Sequence, residues 1–107
     1  MRMGDVNKML KQAQKMQAEM ARIQEELAAE KLEASAGGGV VRAVANGHGE
    51  LLELHIDPSV VDPADVALLA DLVLAAVNEA QRNARALAER RMRQIAGGLQ
   101  MPGLLGP

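Results

Sequence analysis

Lys8, Lys11, Lys15 and Arg22 recur at spacings of three, four and seven, which on a helix gathers them within an arc of about 60°. Gln12, Gln14 and Gln17 add hydrogen-bonding reach beside them. A second set of cations, Arg82, Arg85, Arg90, Arg91 and Arg93, crowds the later part of the chain. The chemistry open to such groups is neutralisation of a polyanion. Each Lys or Arg placed on a duplex phosphate releases counterions, and affinity then falls by about 0.9 log units per contact for each decade of salt. Such contacts position a protein on DNA without reading its bases. The bland alternative is real: cations late in a helix complement its dipole, and lysines on an exposed face often only solvate it.

Other chemistries lack their residues. The chain has no cysteine, which removes disulfides, thiolate nucleophiles and zinc–cysteine sites and fits a reducing cytosol. His48 and His55 have no HxxxH-type partner, so no metal site is expected, and no cofactor. "GGGVVR" has no following Lys-Ser/Thr and is a turn rather than a phosphate-binding loop. The carboxylates show no acid–base pair, and Ser35 and Ser59 have no activating partner. The chain is expected not to be an enzyme and to take no small-molecule substrate. With no aromatic residue there is no platform for stacking unpaired bases. The most apolar run, Val66 to Val77, is too short for a bilayer and carries Asp71, so no membrane association is expected. The opening "MRMGDVNK" carries no secretion-type apolar region.

The elements that must hold the cations can be read from periodicity. Val6, Met9, Ala13, Met16, Met20, Ile23 and Leu27 alternate in threes and fours, a stripe about 100° wide that suits a helix packed along a narrow seam. The spacing predicts a helix from about Asp5 to Ala29, roughly 37 Å long, with Asp5 as N-cap and Gly4 or Asn7 as alternatives. Methionine fills irregular packing well, so the seam is expected to be core. Glycines 37–39 and the pair Asn46-Gly47 mark reversals that favour positive φ. Between them "VVRAVA" is strand-like, and Leu52, Leu54 and Ile56 alternate with Glu53 and His55 as in a half-buried strand. Residues 31–36 alternate more faintly, leaving a two- or three-stranded meander. Asp62-Pro63 predicts the start of a second long helix, which runs to about Ala96 and is closed by Gly97 and Gly98. Its Leu69, Leu72, Val73, Ala76, Val77 and Ala80 should cover the sheet; Ala84, Leu87 and Ile95 continue a thinner apolar line.

One domain over residues 5–96 is expected, followed by a Gly/Pro-rich mobile tail, 97–107. The formal charge is −2. If the two helices pack antiparallel, the basic start of one meets the basic end of the other, and a net-acidic chain carries most of its cations at one pole. A thin, ring-free core also points to oligomerisation.

The blocks "MLKQAQKMQAEMARIQEEL", "GGGVVRAVANGHGELLELHIDPSVV", "LADLVLAAVNEAQRNA" and "GGLQMPG", in that order over about residues 6–103, resemble the YbaB/EbfC family of bacterial nucleoid-associated proteins. The resemblance implies an α+β fold, a two-layer α-β-β-β-α arrangement with a three-stranded antiparallel meander and two long terminal helices. It favours a first strand at residues 31–36. It also implies a homodimer with projecting helical arms, binding to double-stranded DNA with an effect on DNA conformation and gene regulation, and a place in the bacterial cytoplasm and nucleoid. The DNA-binding residues it points to are Lys8, Lys11, Lys15, Arg22, Arg82, Arg85, Arg90 and Arg93. An adaptor whose arms grip a partner protein is the alternative.

Overall fold

A computed structural model describes residues 2–98. The elements run α1 (Met3–Ala29), β1 (Leu32–Ala36), β2 (Val41–Ala45), β3 (Leu51–Ile56), a 3-10 turn (Pro58–Val60) and α2 (Val66–Gly98). The three strands form one antiparallel sheet in the order β1-β2-β3, the expected meander. The first strand is therefore present. Overall extents of 74 × 27 × 16 Å make the molecule a rod with a sheet on its flank.

The core lies where α2 crosses β1 and β2. Ala34, Val41, Ala43 and Ala45 meet Ala76 and Ala80 there, with Leu69, Leu72, Val73 and Val77 at the margins. Alanine on both surfaces leaves room for the backbones to approach closely, which suits a core without rings. A smaller cluster joins the helices: Ile23 and Leu27 of α1 pack on Leu87, with Ile95 beside them. The apolar line expected on α2 is thus used along its length.

Four expectations need correction. The N-terminal helix begins at Met3, and Arg2, not Asp5, stands at its N-cap, with no side-chain hydrogen bond. Asp62 organises a turn by accepting from the Ala64 amide at 2.9 Å, and α2 starts only at Val66, where Asp65 accepts from the Leu68 amide at 3.2 Å. Two capping residues three positions apart offered alternative starts, and the later one took the helix. Gly97 and Gly98 lie inside α2 rather than beyond its end. The methionine seam is not core: Met9, Met16 and Met20 are exposed, and in α1 only Ile23 and Leu27 are buried. Gln94 and Ile95, near the end of α2, lie level with Lys15 and Glu19, so little of α2 reaches the earlier seam residues. The tail from residue 99 onwards lies outside the described residues.

The third strand departs from its expected half-burial in a similar way. Its Leu54 and Ile56 pair with Ala43 and Val41, so they share the face that α2 covers. Yet they are 40% and 38% exposed. One helix, about 10 Å across, spans about two strands spaced about 4.8 Å apart, and α2 sits over β1 and β2. The third strand is left bare.

Candidate nucleic-acid interface

The first helix is the platform for the lysines. Its 27 residues are anchored only near the C-terminal end, so its earlier part stands free as an arm. Long unbranched side chains and a single glycine, Gly4, suit a helix exposed over most of its length. Lys8, Lys11 and Lys15, together with Gln12, line one shallow groove on that arm. The three lysines of the arc read from spacing therefore share one surface, and Arg22 lies outside this groove.

The two basic regions meet at a cleft of about 340 Å³ between the helices, lined by Lys15, Glu19, Arg22 and Glu26 from α1 and by Arg91, Gln94 and Ile95 from α2. The expected antiparallel arrangement brings Lys15, Arg22 and Arg91 to this one place. Their charges are not equally available. Arg22 donates to Glu19 at 2.5 Å and to Glu26 at 2.8 Å, and the hydrogen bond to Glu19, reinforced by both carboxylates, raises its pKa further above its ordinary value. Arg91, only 27% exposed, donates to Glu26 at 3.2 Å and Glu30 at 2.9 Å. Glu26 thus serves an arginine from each helix. Arg82 is held by Glu79 at 2.5 Å.

Lys8, Lys11, Lys15, Arg85, Arg90 and Arg93 are all exposed, and among the described residues none has a carboxylate partner within 4 Å. With Arg2, at the start of the arm and likewise exposed and unpaired, they are the cations free to meet a phosphate without first breaking an ion pair. The helical pitch spreads Arg85, Arg90 and Arg93 widely around α2 instead of on one face.

The outer sheet face is polar and internally paired. Arg42 bonds Glu33, and Glu53 takes both His55 at 3.0 Å and Lys31 at 3.6 Å. The His55 hydrogen bond, aided by Lys31, holds the Glu53 carboxyl below its usual range. Among the described residues no group of three metal-ligating side chains converges, and no helix is long and apolar enough to cross a membrane.

Sequence reasoning missed the Asn46–Gly49 turn as an organising element. The Asn46 side chain, buried, accepts from the amides of His48 and Glu50, each at 3.0 Å. The positive φ of this turn falls on Gly49, not on Gly47. Gly47 is needed for close approach instead: its amide donates to the Leu27 carbonyl at 2.7 Å, and a Cβ there would stand 2.5 Å from that oxygen. No sequence signal separates these two uses of glycine. The pairing of Arg22 was missed as well, although its signal was present: Glu19 and Glu26 stand three and four positions away.

A family model described as the YbaB/EbfC DNA-binding family matches residues 3–99. The chain belongs to that family. Proteins named nucleoid-associated protein from Thermoanaerobacter pseudethanolicus and Moorella thermoacetica are each 55% identical to it. The first match covers 94% of this chain and 90% of the relative, the second 96% and 99%. An uncharacterized Helicobacter pylori protein of known crystal structure shares the fold with a TM-score of 0.66 at 23% identity, over 92% of this chain and 97% of its own. The chain carries the YbaB/EbfC DNA-binding family match over its whole α-β-β-β-α fold.

Proposed function

We propose that this YbaB/EbfC family member is a nucleoid-associated protein that binds duplex DNA as a homodimer, mainly through phosphate contacts with little sequence readout. By altering DNA conformation it influences nucleoid organisation and gene expression. The observation that carries the reading is the free arm of α1, on which Lys8, Lys11 and Lys15 share one groove without carboxylate partners among the described residues. Pairing of two copies is supported by the bare row on β3, where Leu54 and Ile56 continue the core face beyond the edge of α2. A second copy laid on that row removes apolar surface from water and adds core to a chain that has little.

The test is a titration of affinity for two unrelated duplexes across a salt series, read with labelled DNA because the chain has no Trp or Tyr. Three lysines on each of two arms give a slope of about −5 in log affinity against log salt. Equal affinity for both duplexes is the expected outcome. A second reading draws on the exposed Met9, Met16 and Met20: an adaptor gripping a partner protein along that flexible apolar stripe. Weak, salt-insensitive DNA binding would favour it.

A further inference from the structure

We propose that the Asn46–Gly49 turn sets the bearing of the α1 arm for DNA, with His48 as a positioning residue; this rests on the DNA reading above. One short turn touches both long helices. Gly47 donates to the Leu27 carbonyl of α1 at 2.7 Å, and the exposed His48 ring places Nε2 3.0 Å from the Gln24 carbonyl, one turn earlier. On the other side the Gln81 side chain of α2 donates to the Gly49 carbonyl at 3.1 Å. Asn46, buried and fully engaged within the turn, keeps these groups in fixed relation.

Few other interactions fix the arm. Its buried side chains are Ile23 and Leu27, and its ion pairs to α2 are those of Arg91. Leverage makes the turn matter. About 28 Å of helix separates Leu27 from Lys8 at about 1.5 Å per residue, so a tilt of about 10° at the base moves the tip by about 5 Å. That is close to the minor-groove width of about 6 Å, enough to take a lysine off its phosphate. Gly47 and Leu27 supply the pivot, and the bond from His48 to Gln24, one turn further out, resists tilting about it.

The test uses the full chain, which has no cysteine of its own. Spin labels at Gln14→Cys on α1 and Ser35→Cys on the sheet report the bearing of the arm in samples diluted with unlabelled chain. Duplex affinity is measured in parallel on the unlabelled variants. In His48→Ala the label distance broadens, affinity drops about three- to tenfold, the scale of one lost hydrogen bond, and the salt slope is retained. In His48→Gln, whose amide still donates, both values return towards the wild type. An unchanged distance or an unchanged affinity in His48→Ala overturns the proposal, as does a failure of His48→Gln to rescue. The double variant Lys11→Glu/Lys15→Glu separates the two readings. If it loses affinity while His48→Ala does not, only the positioning role falls. If it binds like the wild type, α1 is not the DNA surface, and the reading on which this proposal rests falls with it.

Discussion

Arg91 reaches across 61 residues of sequence to donate to Glu30 at 2.9 Å, tying the far part of α2 to the base of α1. Its second bond goes to Glu26 at 3.2 Å, and its side chain is only 27% exposed. Arg82 makes a shorter pair with Glu79, but within one helix and with its side chain 58% exposed. Distance alone would rank Arg82 as the stronger. Solvent screening and the local nature of its pair reverse the order, because exposed i,i+3 and i,i+4 pairs contribute only tenths of a kcal/mol.

Arg91→Ala is therefore expected to destabilise the fold by about 1 kcal/mol, a fall of roughly 4–8 °C in Tm for a domain of this size. Arg82→Ala should stay within about 0.5 kcal/mol of the wild type. Thermal melts followed by far-UV circular dichroism compare the two. Equal effects would mean that the link between α1 and α2 is carried by Ile23, Leu27 and Leu87 alone.

What the sequence made legible was whatever depends on neighbours along the chain. The lysine arc follows from helical pitch and the meander from alternation and turn residues; the pairing of Arg22 had its signal in carboxylates three and four positions away and went unread. What escaped depends on where elements end in space. Met9 and Met16 have the spacing of a core seam, and nothing local reveals that α2 stops short of them. Leu54 and Ile56 have the alternation of a half-buried strand, and nothing local reveals that a single helix covers only β1 and β2. Gly47 looks like a positive-φ turn residue, although its task is to let its amide reach Leu27. The carbonyl it meets lies twenty residues earlier, beyond any local signal.

Charge reversal at two free lysines tests the arm itself. Lys11→Glu/Lys15→Glu changes exposed groups with no ion pair among the described residues, so melting should shift by no more than a few degrees. Duplex affinity should fall at least tenfold at moderate salt, and the salt slope should shrink by about one unit for each lysine lost per arm. Arg22→Glu is the useful contrast, because Arg22 already serves Glu19 and Glu26 and its removal should cost binding less. A gel shift over a salt series reads both. Wild-type binding by the double lysine variant would move the DNA surface away from α1.

The bare row on β3 makes the last prediction. Leu54→Asp/Ile56→Asp places two carboxylates where each side chain is already more than a third open to water in a single copy. The fold of one copy should therefore tolerate the change, since a charge near solvent keeps most of its hydration. A dimer closed over that row would have to strip the water from both charges on both copies, at a cost of several kcal/mol for each buried unpaired ion. Light scattering after size exclusion should then give a chain of monomer mass that keeps its helix content. If instead wild type and variant both run at the proposed dimer's mass, β3 is not the contact, and the exposed Met9, Met16 and Met20 become the next surface to test. If it unfolds, single substitutions separate the two effects: Leu54→Asn and Ile56→Asn remove apolar surface without charge and should weaken association in proportion to the area lost.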